Sequence, residues 1–204
     1  MILSDREIRA AMERGAVRIT PPPAPGAIAS TAVDLALDAE VSVWEAVEDI
    51  GQGLTFRPGR PNFNATALID RYARKQVIGP DGYVMPPGSF LLGWTVERIQ
   101  LPSSSRIAAR VEGKSSLARL GLGVHVTAPT IHAGFGYKQI DPGYAGSPIQ
   151  LEIWNVGKFP IELLKGMPIC QLIFEEVHGT PDRGYEGRFS VQGPVGTPPV
   201  RSTP

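Results

Sequence analysis

The sequence has very little cysteine, little histidine, no net charge and no long apolar run. Its single cysteine, Cys170, cannot form an internal disulfide and lies in an apolar stretch, where a buried free thiol is the ordinary interpretation. Lys+Arg and Asp+Glu both total 20, so no overall field draws the chain to nucleic acid or anionic lipid. The N-terminus also lacks the pattern of a signal peptide. We therefore expect a cytoplasmic protein without a nucleic-acid or membrane partner.

Turn-forming residues, by contrast, are abundant. The 23 glycines and 20 prolines separate short apolar or alternating runs, which are typical of strands joined by tight turns. Examples of these runs are residues 32–37, 90–101, 149–154 and 169–174. Ser4 and Glu7 have the spacing of a capping box, and Gly15 is placed to end a short amphipathic helix. Residues 48–81 lack clean periodicity and are predicted to be irregular. We predict a mainly β fold, an antiparallel sandwich or barrel, with one short N-terminal helix.

The apolar runs also predict the domain organisation. At 204 residues the chain suits one domain of ordinary size, and residues 1–178 contain the segments that can build its core. Residues 179–204 are rich in glycine, proline and serine and cannot supply much core. We predict that they form a tail, either disordered or ordered by a ligand.

The segment from residue 112 to 122 gathers cations, hydroxyls and backbone donors around a glycine. Its candidate ligands are Lys114, Ser115, Ser116 and Arg119. Gly-Lys-Ser suggests a Walker A motif, but that motif requires glycine at position 108, which is alanine. The remaining interpretation is a short helical turn at which the serines and backbone N–H groups meet an anion. The alternative is an ordinary capped helix with solvated cations.

A second segment places a carboxylate within a predicted strand. In residues 149–154 the alternation puts Gln150, Glu152 and Trp154 on one face and the aliphatic residues on the other. A glutamate in this position is most often a solvated residue of the outer face, and the alternative is that it faces a substrate. Asp141, which precedes the strand in a Gly-containing turn, is a second candidate carboxylate.

Several short pieces of the sequence occur in one order along nearly the whole chain. They are residues 2–8, Val33-Asp34-Leu35, residues 113–122, His125-Val126-Thr127-Ala128, Asp141-Pro142-Gly143, Leu151-Glu152, Gly166-Met167 and Gln171-Leu172. The Lys-Ser-Ser-Leu-Ala-Arg block is the most specific of them. Together they resemble the dCTP deaminase family. The resemblance implies a homotrimer of the dUTPase-like type, a distorted antiparallel barrel with active sites between subunits. It also implies hydrolytic deamination of dCTP to dUTP and ammonia, which supplies the route to thymidylate.

The resemblance further implies roles for individual residues. Glu152 would be the proton shuttle, while Ser115 and Arg119 would hold and polarise the attacking water. Asp141 would contact the deoxyribose. The substrate-binding set would comprise Lys114, Ser115, Ser116, Arg119, Ala128, Asp141, Gln150 and Leu151, with Tyr185, Arg188 and Gln192 closing over the triphosphate.

One carboxylate near C4 of cytosine is also chemically sufficient. The reaction requires a deprotonated water, a proton for N3 and a proton for the departing ammonia, and one carboxylate can serve each step. Zinc deaminases activate water on a metal held by His/Cys/Cys or by three cysteines, a set that a chain with one cysteine cannot supply. We predict no protein-bound metal and Mg²⁺ that arrives on the triphosphate.

Two alternatives concern register and chemistry. The link between Ala128 and residue 140 is longer than in the family pattern, so either Asp141 keeps the sugar contact or residues 131–135, with His132, replace that turn. We favour Asp141. A dUTPase, a bifunctional enzyme releasing dUMP and pyrophosphate, and a nucleotide-binding regulator are the competing functions. Glu152 favours deamination, because hydrolysis at the α-phosphate needs no carboxylate facing C4.

Overall fold

We describe the protein from a computed structural model. The described residues are 1–44, 54–124, 128–139, 141 and 143–185. Helix α1 (Asp5–Glu13) begins with the predicted capping box, in which the Ser4 side chain accepts from the Glu7 backbone and the Glu7 side chain accepts from the Ser4 backbone. Gly15, at φ +72°, turns the chain after the helix. The predicted N-terminal helix is confirmed.

Antiparallel strands, two further α-helices and a 3₁₀ turn at Ser103–Ser105 form the rest of the regular structure in the described residues. The strands are β1 (Arg18–Thr20), β2 (Val33–Ala36), β3 (Glu40–Trp44), β4 (Ala73–Val77), β5 (Tyr83–Met85), β6 (Phe90–Gln100), β7 (Ile107–Gly113), β8 (Leu122–Val124), β9 (Thr130–Ile131), β10 (Ser147–Asn155), β11 (Ile161–Leu163) and β12 (Pro168–Glu176). The helices are α2 (Ala65–Tyr72) and α3 (Ser115–Ala118). Each run predicted as a strand coincides with one of these elements. In the described ranges, we find no helix with the length and apolar character to cross a membrane.

Most of these strands belong to two sheets. Within the described residues, one sheet has the order β4-β3-β6-β10-β8, with β1 also paired to β6, and the other has the order β2-β12-β7-β9. Strands β5 and β11 form a separate pair. Apolar side chains of both sheets, such as Leu151 and Leu172, share one buried core. The mainly β, antiparallel prediction is confirmed, whereas the sheets stay open over the described residues and do not show a closed barrel.

The segment from residue 48 to 81 is more regular than the sequence indicates. Helix α2 lies inside it, capped by Asn64, whose Oδ1 accepts from the Ala67 backbone at 3.2 Å. Strand β4 follows and pairs with β3. The prediction of an irregular segment was wrong here. Helix α2 has only eight residues and buries none of them, and so short a segment gives little helical periodicity to recognise in a sequence. Residues 48–53 lie outside the described residues.

Candidate functional site

Helix α3 lies where the chain crosses from one main sheet to the other. Strand β7 ends at Gly113 in the sheet that contains β12, and β8 begins at Leu122 in the sheet that contains β10. The crossing is held tightly, since a Cβ atom on Gly121 would overlap the backbone nitrogen of Gly157. Gly121 also has φ +94°, a conformation that favours glycine. The backbone conformation at Gly121, where the chain passes from α3 to β8, is therefore constrained.

The turn itself presents the predicted anion ligands to solvent. The backbone N–H of Ala118 donates to the carbonyl of Lys114 at 2.9 Å, which closes the turn. Ser115, Ser116 and Arg119 are exposed. The predicted helical turn is confirmed, and it places two hydroxyls and one guanidinium within five consecutive positions.

Lys114, also predicted as a substrate ligand, makes a different contact. Its Nζ donates to Oδ2 of Asp34 at 2.6 Å, and Nε2 of Gln171 donates to Oδ1 of the same carboxylate at 2.9 Å. The Lys114 and Asp34 side chains are only 20% and 26% exposed. Sequence reasoning gave Asp34 and Gln171 no role. Both belong to pieces of the family resemblance, but nothing in the sequence signals that they meet.

Cys170 lies beside this group, next to Gln171 in strand β12. It is fully buried, and burial raises the pKa of its thiol, to which the nearby carboxylates of Glu97 and Asp34 add. The prediction of a buried free thiol is confirmed.

Glu152 lies on the face of β10 that the alternation predicts. Leu151 and Ile153 are fully buried, whereas Gln150, Glu152 and Trp154 are partly exposed. Oε2 of Glu152 is nevertheless shielded from solvent. Glu152 is thus a half-buried acid on the polar face of a central strand, an environment unlike that of a freely solvated glutamate.

Strand β8 joins the α3 turn to the strand that contains Glu152. Ile153 and Trp154 of β10 pair with Val124 and Gly123 of β8. The indole of Trp154 covers Gly123, where an added Cβ would overlap the ring. This ladder places the exit of the α3 turn beside the C-terminal half of β10.

The backbone of β10 is irregular just before Glu152. Its pairing with β6 shifts between Pro148 and Gln150, and the N–H of Ile149 donates to Oγ1 of Thr95 at 2.9 Å instead of to a strand carbonyl. Because the Leu151 side chain is buried, only the backbone of that residue can meet a ligand.

The remaining predicted ligands in the described residues extend from the entrance of β9 into the tail. Asp141 is exposed, and its Oδ1 accepts from the Gly143 backbone at 3.2 Å. Tyr185 stacks on His132, the residue of the alternative register, with ring centroids 4.8 Å apart. Both rings line a cleft of about 650 Å³. Ala128 is exposed at the entrance to β9.

Other predicted residues are outside what can be described. Arg188 and Gln192 lie beyond the described residues, as do His125 and residues 126 and 127. Among the described residues, no group of three or more His, Cys, Asp or Glu side chains is arranged to hold a metal ion.

Comparisons with known proteins agree with the resemblance. The family model for dCTP deaminase-like proteins matches residues 2–177. A dUMP-forming dCTP deaminase of Methanosphaera stadtmanae is 35% identical over 191 residues, which are 93% of this chain and 87% of that protein. A dCTP deaminase of Rhodospirillum rubrum is 36% identical over 185 residues, which are 91% of this chain and 87% of that protein.

A solved structure shows the same fold. The crystal structure of 2′-deoxycytidine 5′-triphosphate deaminase from Agrobacterium tumefaciens superposes with a TM-score of 0.61 at 22% identity. The match covers 87% of this chain and 48% of that chain, so this protein spans about half of the length of that chain. The family model and the two relatives confirm the resemblance found in the sequence, and this chain belongs to the dCTP deaminase-like family.

Proposed function

We propose that this protein deaminates dCTP hydrolytically to dUTP and ammonia. The observation that carries the proposal is the position of Glu152, a half-buried acid on the polar face of β10, in a strand paired with the β8 strand that follows α3. Family membership supplies the substrate, because relatives of this chain are named dCTP deaminases. The site must then bind a triphosphate and a cytosine ring together.

Glu152 would act as both base and acid. Its carboxylate takes one proton from the attacking water and gives it to N3 as the oxygen bonds to C4. It then takes the proton of the new C4 hydroxyl and gives it to the amine, so that the C4–N bond breaks, ammonia leaves, the C4 carbonyl forms and the carboxylate is ionised again. Ser115 and Arg119 would hold that water and stabilise the charge that develops at C4. No step in this scheme requires a protein-bound metal.

Ser115, Ser116 and Arg119 would also contact the phosphates. Their exposure leaves the hydroxyls and the guanidinium accessible to a large anion. Mg²⁺ would enter as the metal of the Mg²⁺–dCTP complex, held mainly by phosphate oxygens and water. Tyr185 and the following tail, with Arg188 and Gln192, would close over the triphosphate, and Asp141 or His132 would contact the sugar.

The protein is further proposed to be a homotrimer whose active sites lie between subunits. The corner formed by the end of the α3 turn and the β10–β11 link exposes three apolar side chains, Leu120 at 60%, Val156 at 74% and Phe159 at 77%. Val156 is joined to this turn by a hydrogen bond from its N–H to the Gly121 carbonyl at 2.9 Å. Adjacent exposed apolar groups favour a protein interface at this corner, and a second subunit there would enclose the exposed ligands of the turn.

A bifunctional enzyme that releases dUMP and pyrophosphate is the second candidate. The relative from Methanosphaera stadtmanae is named dUMP-forming, and Asp141 is an exposed carboxylate close in sequence to β10. In a dUTPase without deaminase activity, or in a nucleotide-binding regulator, Glu152 would have no proton-transfer role.

The test is a product analysis with purified protein. Incubation with Mg²⁺ and dCTP is expected to release ammonia and dUTP, resolved from dUMP and pyrophosphate by ion-exchange chromatography. Equal amounts of ammonia, dUMP and pyrophosphate would select the bifunctional enzyme. A parallel reaction with dUTP separates direct hydrolysis from coupled hydrolysis. Absence of ammonia from dCTP, with dUTP hydrolysed, would replace the proposal with a dUTPase.

A further inference from the structure

A bulge in β6 separates two registers of its pairing with β10. The ladder pairs that flank the bulge are Pro148 with Arg98 and Gln150 with Trp94. Ile149 alone therefore spans the three residues 95–97 of β6. Extra residues on one strand bend it and interrupt the ladder, so that nearby N–H groups need another partner. Glu152 lies in the register beyond the bulge, which is two residues out of step with the register before it.

The side chain of Thr95 provides a partner at the bulge. Its Oγ1 accepts from the N–H of Ile149 at 2.9 Å and donates to the carbonyl of Glu97 at 2.7 Å. Thr95 and Ile149 are both only 1% exposed. A hydroxyl can donate one hydrogen bond and accept others, so this single buried oxygen closes the bulge and also ties β10 to it. A methyl group in its place would do neither.

The bulge is itself attached to the other main sheet. Oε2 of Glu97 accepts from the N–H of Ala36, in β2, at 2.9 Å. The N–H of Asp38, just beyond β2, donates to the carbonyl of Trp94 at 2.8 Å. Contacts on both sides of Thr95 therefore hold the backbone of β6 in its bent form, and the Thr95 hydroxyl meets β10 from a fixed position.

The hydrogen bond from Ile149 lies three residues before Glu152. Beyond it the ladder is regular, with Glu152 opposite Leu92. If the earlier register continued without the bulge, Glu152 would lie opposite Trp94 instead, about 7 Å further along β6, since a strand rises about 3.4 Å per residue. Much smaller displacements matter for catalysis, because misplacing a reacting group by about 1 Å can lower a rate on the order of 100-fold.

We propose that Thr95 is a positioning residue for the reaction at Glu152, because its hydroxyl fixes the register of β10 and so sets where the carboxylate lies. Thr95 acts through the backbone of β10 and, being buried, does not itself contact the nucleotide. This inference rests on the proposed function, since it concerns the acid that is proposed to move the protons.

Thr95→Val removes the hydroxyl and keeps the shape of the side chain. Its kcat for ammonia release should fall by at least about tenfold. The dissociation constant for Mg²⁺–dCTP should change by less than about threefold, because the proposed phosphate ligands lie on α3. Thr95→Ser, which keeps the hydroxyl, should restore most of kcat. A lower Tm with unchanged kcat would make Thr95 only a stabilising residue and overturn the proposal. Equal losses of kcat in both variants would also overturn it, because the hydroxyl would not be responsible.

A double-mutant cycle with Glu152→Gln shows whether Thr95 acts through that acid. If it does, Thr95→Val should lower the residual rate of Glu152→Gln by less than about threefold, because the group that it misplaces has already lost its base. The full loss in that background would show an independent role and contradict the proposal. Ser105→Ala is the matched control, since the partly buried Ser105 hydroxyl donates to the carbonyl of Pro102 at 2.6 Å in the 3₁₀ turn that follows β6. It should keep the wild-type kcat.

Amide NMR spectra of the nucleotide-free protein make the test independent of catalysis. Thr95→Val should shift the amides from Ile149 through to Glu152, whereas Ser105→Ala should not. If Thr95→Val fails to fold, Thr95→Cys, whose thiol is a weak donor and acceptor, should shift the same amides and lower kcat less. An unmoved Glu152 amide in a folded variant would overturn the proposal. A wild-type protein that releases no ammonia from dCTP would reject the proposed function, and the amide shifts would still decide whether Thr95 fixes β10.

Discussion

The rings of His132 and Tyr185 stack with an interplanar angle of 30° and centroids 4.8 Å apart, which attaches the start of the C-terminal tail to the turn after β9. The N–H of Tyr185 also donates to the carbonyl of Ala133 at 3.0 Å. Gly134 permits this approach, because a Cβ there would lie 2.5 Å from the Tyr185 nitrogen. Tyr185, which is predicted to cover the triphosphate, is therefore held at the wall of the cleft that it lines with His132.

Truncation before Tyr185 tests whether the tail is a lid. Removing residues 185–204 should weaken Mg²⁺–dCTP binding by about tenfold or more while leaving Tm nearly unchanged, because the tail contributes contacts to the ligand and little apolar burial. Calorimetric titration and thermal unfolding measure both. His132→Ala should produce a smaller loss in the same direction, and His132→Phe, which keeps the stacking, should restore part of it. Unaltered dCTP affinity in the truncated protein would count against a lid.

Cys170 should not react with thiol reagents in the folded protein. Burial raises the pKa of its thiol, so the thiolate, which is the reactive form, is not available near neutral pH. At pH 8 Ellman's reagent is expected to leave the native protein unlabelled and to label one thiol per chain after denaturation. Because the sequence has a single cysteine, rapid labelling of the native protein would show directly that β12 is less well packed than the structure indicates.

Local patterns were predictable from the sequence, and long-range polar contacts were not. The capping box of Ser4 and the alternation around Glu152 depend on near neighbours, so spacing alone predicts them. Helix α2 escaped prediction because its eight residues are fewer than the window over which a helical period is recognised, and none of them is buried. The contact between Lys114 and Asp34 joins residues 80 positions apart. Only the order of the strands brings them together, and no local pattern encodes that order.

The half-buried carboxyl of Glu97 provides a test of stability against pH. Burial raises its pKa, and the hydrogen bond from the Ala36 N–H, at 2.9 Å, opposes this effect only in part. With the pKa raised in the folded state, ionisation favours unfolding, so the stability contributed by the neutral acid is lost as pH rises through the folded-state pKa. Glu97→Gln should melt above wild type at pH 7, with the difference vanishing below about pH 4. The exposed Glu162→Gln should show no such trend, and a constant difference for Glu97→Gln from pH 4 to 8 would contradict the prediction.

Metal removal should distinguish a substrate-borne ion from a structural one. EDTA is expected to suppress deamination, and Mg²⁺ alone should restore it, because the metal is proposed to enter with the triphosphate. Tm of the nucleotide-free protein should not change on chelation. Zinc that co-purifies in stoichiometric amounts and is required for turnover would contradict this prediction.

Glu152→Gln is the most direct test of the chemistry. The substitution preserves size and hydrogen-bonding capacity but removes the base, so the lost interaction belongs to the transition state rather than to the bound substrate. Ammonia release should fall by at least about 10²–10⁴-fold, the usual range for general acid–base catalysis, while the dissociation constant for Mg²⁺–dCTP stays close to that of wild type. Ser115→Ala and Arg119→Ala should instead impair both binding and turnover, since those residues are proposed to contact phosphate and water together. Glu162→Gln, an exposed glutamate in β11, is the control for the loss of one carboxylate and should keep full activity. Near-normal ammonia release by Glu152→Gln would mean that Glu152 only occupies the polar face of β10, and another group would have to move the protons.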